Sequence, residues 1–161
     1  MPLWVGFVLL ARADDPTVAT EADGTLVGRI FVPADESVVR SFLANPIDAI
    51  RLSPEVTEAQ STAEGGCAVV TVEAQGPWDA LHYRARLCPT ESGWRSTLLE
   101  SEDFQRLDVE WQLEPTSGGT AVEYRVRSEI DLGIPQFLVR GGTERSIRGT
   151  LLALVHRVAG R

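Results

Sequence analysis

The sequence predicts an α+β fold: a curved antiparallel sheet of about seven strands, in the order β-α-α-β6-α, wrapped around a long C-terminal helix. Three observations carry this prediction. Nearly everything from Val56 to Ile130 reads as strands with one apolar face each. Two short helix signals separate a first strand, near Leu26, from that run. Finally, Pro135 to Val158 is the one stretch long and periodic enough to be a long amphipathic helix. Within it Ile147, Leu151, Leu154, Val155 and Val158 recur at the three-and-four spacing that stacks side chains on one helix face. An apolar helical stripe needs a surface to cover, and the apolar faces of the strands supply one.

The chain has 161 residues and is 43% hydrophobic, which suits one domain with a continuous core, expected over residues 14–161. Its formal charge of -8 repels phosphate backbones and anionic membrane surfaces, so small-molecule or protein partners are expected rather than nucleic acid, and the protein is expected to be a monomer. All 15 basic residues are arginine, which reads as a coding bias rather than selection for guanidinium chemistry.

Residues 1–13 differ in kind from the rest. Pro2 to Ala11 is almost wholly apolar, and Ala11-Arg12-Ala13 has the small-x-small pattern of a signal-peptidase site, followed at once by Asp14, Asp15 and Pro16. The segment reads as a secretory signal that lacks the usual basic start, and export to a periplasmic or extracellular compartment is the expectation. A buried strand or an uncleaved anchor is the alternative, with a cytoplasmic location. No apolar run approaches the roughly 20 residues needed to span a bilayer as a helix, so the mature chain is expected to have no transmembrane span.

Asp23-Gly24 signals a turn into a strand, Thr25 to Val32, in which Leu26, Ile30 and Val32 share a face with Gly28. Pro33 ends that strand, and Asp35 stands where a helix through Val38, Val39, Phe42 and Leu43 would be capped. Asn45-Pro46 stops it, and a second short helix runs from Ile47 to Leu52.

The hairpins that follow have registers that can be worked out. Around Gln75 to Ala80, placing Val72 opposite Tyr83 and Val70 opposite Ala85 makes one apolar face. The same register puts Glu73 against His82, Thr71 against Arg84 and Cys67 against Cys88 on the other, polar face. Around Thr116 to Gly119, Leu113 meets Val122, Trp111 meets Tyr124 and Val109 meets Val126, with Glu110–Arg125 and Asp108–Arg127 as charge pairs behind them. The strand Trp94 to Ser101 lies between these hairpins with no preferred facing, and Val56 to Ser61 supplies the remaining one.

This order resembles the helix-grip arrangement of the START and polyketide-cyclase-like proteins, the SRPBCC superfamily. The residues that carry the resemblance are Ile30-Phe31-Val32-Pro33-Ala34 with Val38-Val39 and Phe42-Leu43-Ala44-Asn45-Pro46, then Leu52-Ser53-Pro54-Glu55-Val56, and Ile134-Pro135 opening the last helix. It spans about Gly24 to Val158. The resemblance implies a cavity between sheet and helix that holds lipids, polyketides or other apolar molecules, in some members with catalysis added, and supplies no shared catalytic set; the expected partner of this chain is accordingly a hydrophobic small molecule such as a lipid, an isoprenoid or a polyketide-like compound.

Candidate site residues follow from the inner faces. Val109, Trp111, Val126, Tyr83 and Tyr124 are expected to point toward the helix, the two tyrosines offering polar tips to a ligand. Phe137 and Gly141 lie in the weaker half of the last helix, where a ligand is expected to be admitted. Gly141-Gly142 either interrupts the helix, with Thr143 as a new N-cap, or leaves room above the cavity.

Cys67 and Cys88, facing each other across a hairpin, are expected to form a disulfide if the chain is exported. His82 beside Glu73 reads as an exposed cross-strand pair rather than an acid–base dyad, and a zinc site from Cys67, His82, Cys88 and His156 has no close ligand pair to start from. No metal, cofactor or catalytic residue is expected. Binding without chemistry is the leading expectation. The alternatives are a cyclase- or hydrolase-type enzyme using Tyr83, Tyr124 or Glu100, and a structural envelope protein whose own side chains fill the cavity.

Overall fold

The computed structural model describes residues 15–131 and 133–160, so the expected signal, residues 1–13, lies outside the described residues. The elements are β1 (Thr17–Thr20), β2 (Leu26–Val32), α1 (Glu36–Leu43), α2 (Pro46–Ile50), β3 (Val56–Glu64), β4 (Cys67–Gln75), β5 (Ala80–Pro89), β6 (Gly93–Glu100), β7 (Phe104–Thr116), β8 (Gly119–Ile130) and α3 (Gln136–Ala159). The strands form one antiparallel sheet in the order β1-β2-β8-β7-β6-β5-β4-β3. The α+β architecture expected from sequence is therefore present, with one strand more than expected. That strand, β1, has four residues, of which Val18 alone packs on the core, too little for a period-two pattern to register.

Both derived registers are observed, including Val72 opposite Tyr83, Val70 opposite Ala85, Trp111 opposite Tyr124 and Val109 opposite Val126. The charge pairs of the second hairpin need correction. Glu110 and Arg125 are opposite in register, as are Asp108 and Arg127. Yet Glu110 closes on Arg95 of β6 at 2.6 Å, Arg127 on Asp23 at 3.6 Å and Asp108 on Arg106 at 3.8 Å, while Arg125 reaches Glu21 and Glu123. Long side chains on a twisted sheet lean diagonally, and the β1–β2 turn brings carboxylates that the hairpin alone does not have.

Asn45 caps α2, its Oδ1 accepting from the backbone N–H of Ile47 at 3.1 Å and Asp48 at 3.2 Å, with Pro46 in the first turn. Asp35 precedes α1 without a side-chain cap. The last helix runs without a break through Gly141-Gly142. Thr143 is not an N-cap, because its Oγ1 donates back to the carbonyl of Val139, so of the two alternatives for Gly141-Gly142 the interruption does not occur.

The core lies between the sheet and the C-terminal half of α3. Ile147, Leu151, Leu154 and Val155 are buried against Leu26, Ile30 and Val32 of β2, Val122, Tyr124 and Val126 of β8, and Val39 and Leu43 of α1. Gly28 permits this approach: a Cβ there would stand 2.4 Å from Ile147 Cγ2 and 2.9 Å from Leu151 Cδ1. Val70, Val72, Ala85 and Leu87 form a second, smaller cluster under α2. The N-terminal part of α3 is different, with Phe137 70% and Leu138 55% exposed, and with open space where a Cβ on Gly141 would point.

Candidate ligand-binding site

A cavity of about 50 Å³ lies between α1–α2 and the inner face of the sheet. Its walls are Leu43, Ala49, Ile50 and Ser53 on the helical side, and Tyr83, Leu87, Trp94, Ser96, Leu107, Val109, Trp111 and Tyr124 on the sheet side, with Arg95 at one edge. Strand alternation explains the set. On β7, Leu107, Val109 and Trp111 point inward while Asp108 and Glu110 point out, and Tyr124 stands opposite Trp111 with ring centroids 4.2 Å apart. Tyr83 packs edge-on against Phe104 at 5.6 Å.

Of the residues expected at the site, Tyr83, Val109, Trp111 and Tyr124 line this cavity. Val126, Phe137 and Gly141 do not: Val126 is buried in the core beneath α3, and the other two lie on the outlying part of that helix. No α3 residue lines the cavity, whose outer wall is instead the five-residue α2, an element with no fully buried residue. Sequence reasoning missed Trp94, Ser96, Leu107, Leu43, Ala49, Ile50 and Ser53 as lining residues. The missing signal was the facing of β6, which its pairing of Trp94 with Trp111 settles.

A polar seam borders the cavity. Tyr124 and Ser53 both line it, Ser53 Oγ lies 3.3 Å from Thr150 Oγ1, Thr150 donates to the carbonyl of Ser146, and Ser146 donates to Glu55 at 2.7 Å. Burial pushes the Tyr124 phenol up to about 12, against the influence of the Ser53 side chain and with help from the Glu55 charge. Burial raises Tyr83 as well, with Tyr124 adding to it. Both hydroxyls are thus held neutral.

These are the only two tyrosines of the chain, so the shifts are measurable. The folded state holds its phenolic protons more tightly than the unfolded chain, whose tyrosines titrate near 10. The resulting stability is fully present below pH about 10 and is lost as pH rises toward 12. In an alkaline titration, tyrosinate absorbance is expected to appear together with loss of far-ultraviolet circular dichroism. A tyrosinate signal complete near pH 10 in a still-folded protein would contradict this environment.

The other candidates sit outside the cavity. His82 Nε2 meets Glu73 at 3.0 Å and is 64% exposed, the surface pair expected. Glu100 pairs with Arg84 at 3.1 Å on the outer face and does not line the cavity. Cys67 and Cys88 are joined in a disulfide, with Cα atoms 4.4 Å apart as in a non-hydrogen-bonded cross-strand pair. They are therefore not available as thiolate ligands. A wider groove of about 330 Å³ crosses the outer face beside Arg95, Asp108, Glu110, Arg125 and Arg127. Its arginines are engaged by Glu110, Glu21, Glu123 and Asp23, and its charged lining is unlike the apolar surround of small-molecule sites.

Comparison with solved structures bears on the arrangement as a whole. A START superfamily protein from Mycobacterium smegmatis superposes with a TM-score of 0.72 at 12% identity, covering 84% of this chain and 97% of that one. The chain has the START-like helix-grip fold. A STAR-related lipid transfer protein from Xanthomonas axonopodis matches with a TM-score of 0.65 at 18% identity over 90% of this chain and 99% of that one. The aromatase/cyclase Zhui from a Streptomyces species matches at 0.63 and 14%, over 84% and 91%. No family model matches the sequence, and no curated protein does. The START-like fold is thus shared with a protein named for lipid transfer and with one named as an aromatase/cyclase. No helix among the described residues is long and apolar enough to cross a membrane.

Proposed function

We propose that this chain is an exported, monomeric binding protein for an apolar small molecule such as a lipid, an isoprenoid or a polyketide-like compound, held between the sheet and the helices. The observation that carries the reading is the cavity itself, walled by Tyr83, Trp94, Trp111 and Tyr124 and by aliphatic side chains, with the one basic residue along it, Arg95, exposed on the outer face and bound there to Glu110. Aromatic and aliphatic walls with a few polar tips suit an apolar guest. START-like neighbours that include a lipid transfer protein support the same reading.

A volume of about 50 Å³ is below the roughly 300–1,000 Å³ of pockets that hold drug-sized ligands, so binding must displace a wall. The wall held least by burial is α2, which lines the cavity through Ala49 and Ile50 yet has no fully buried residue. The hydroxyls of Tyr83 and Tyr124, held neutral, serve to orient the guest rather than to take a proton from it. Export is supported by the Cys67–Cys88 disulfide, since such bonds persist in oxidising compartments. In an exported protein, residues 1–13 are removed and the mature chain begins near Asp14.

Native mass spectrometry of the purified protein, with organic extraction, is expected to reveal a co-purifying apolar molecule, and the emptied protein is expected to take up a neutral solvatochromic dye such as Nile red. Absence of both would sink the binding reading. N-terminal sequencing of protein recovered from its native host tests export: a start near Asp14 supports it, and an intact N-terminus in a cytosolic fraction refutes it.

A further inference from the structure

Among the buried side-chain nitrogen and oxygen atoms of the described residues, one has no hydrogen-bond partner: Nε1 of Trp94. Buried polar groups are nearly always paired, and leaving one unpaired costs as much as its desolvation. Trp94 lines the cavity. Its ring is fixed there by β6, with Pro89 of β5 opposite on one side and Trp111 of β7 on the other. An indole N–H can only donate, so whatever completes it must bring an acceptor. The guest's charge follows from the same walls. A carboxylate would need a countercharge to be buried, and the one basic residue along the cavity, Arg95, is exposed on the outer face of β6, where its guanidinium makes two hydrogen bonds to Glu110, at 2.6 Å and 3.0 Å.

We propose that Trp94 is the specificity-determining residue of this cavity, and that it selects an uncharged apolar molecule carrying an acceptor oxygen, of the ketone or ester class, through its indole N–H. The proposal rests on the cavity being the binding site. Tyr124 and Tyr83, whose hydroxyls stay protonated, present further donors and no base to the same guest.

The test compares 2-acetylnaphthalene with its hydrocarbon isostere 2-isopropenylnaphthalene and with 2-naphthoate, each titrated into the full chain at neutral pH. The ketone is expected to bind about tenfold more tightly than the hydrocarbon, as one satisfied buried donor implies, and the carboxylate more weakly than the ketone. Trp94→Phe is expected to abolish the ketone preference, read as the ratio of ketone to hydrocarbon affinity within the variant. A second readout needs no variant. In protein labelled with ¹⁵N at its four tryptophans, the Trp94 indole cross-peak, assigned by nuclear Overhauser contacts, is expected to move downfield with the ketone and not with the hydrocarbon.

Equal affinities with an unmoved indole peak overturn the role of Trp94 while leaving the binding site standing; this is the result if a water completes the indole in both complexes. Tighter binding of the naphthoate overturns the requirement for an uncharged guest. Binding of none of the three, together with no uptake of Nile red, overturns the binding site and this proposal with it.

Discussion

Leu151→Ala is expected to lower the unfolding free energy by about 2–5 kcal/mol, whereas Phe137→Ala, on the same helix, is expected to change it by no more than about 0.5 kcal/mol. Leu151 is wholly buried, and its Cδ1 lies over the bare backbone of Gly28, so truncation leaves a hole that the sheet below cannot fill. Phe137, 70% exposed, has little packing to lose. Urea unfolding monitored by tryptophan fluorescence checks the pair. The midpoint of Leu151→Ala should fall with an unchanged slope, and comparable losses in the two variants would mean that the N-terminal part of α3 is packed after all.

Removing the disulfide, by Cys67→Ser together with Cys88→Ser, is expected to cost about 3 kcal/mol in the chain-entropy model. The crosslink joins residues 21 apart in sequence, tying the first residue of β4 near the end of β5. Reducing the wild-type protein is expected to lower its denaturation midpoint to that of the double variant, since both open the same loop. Thiol labelling of denatured, unreduced protein should find no reactive group. Two reactive thiols would show that the bridge does not form, and the support it gives to export would go with it.

The parts of the fold that were legible in sequence are those whose pattern repeats within one element or one hairpin. Val72 with Tyr83 and Trp111 with Tyr124 follow from alternation plus a short turn, and Ile147 to Val155 from helical spacing. What needs two distant segments was not legible. The partners of Glu110 and Arg127 come from β6 and from the β1–β2 turn, beyond any hairpin rule. Continuity of α3 through Gly141-Gly142 runs against glycine's low helix propensity, and the flanking helical turns outweigh it.

The lining of the candidate cavity was half legible for the same reason. Tyr83, Val109, Trp111 and Tyr124 sit on strands whose inner face could be assigned, whereas Trp94 sits on β6, whose connecting loop allowed several offsets. The helical wall was misplaced because a long amphipathic helix draws attention, while Ala49, Ile50 and Ser53 belong to a segment too short to show a period. Ser53 enters only through its contacts with Tyr124 and Thr150, each far from it in sequence.

The strand order also has a kinetic consequence. From β3 to β8 every neighbour in the sheet is the next strand in the chain, so six strands can zip together through short connections. The junction of β2 with β8 is the exception, pairing residues such as Arg29 and Glu123 that are 94 positions apart. Closing so long a loop is entropically costly and is compensated only when β2 has both β8 beside it and α3 upon it. The N-terminal hairpin and the last helix are thus expected to join late and together, after the six-stranded sheet has formed. Until that step the chain carries an apolar sheet without the last helix over it, so the period between synthesis and closure is when this protein is most exposed to aggregation.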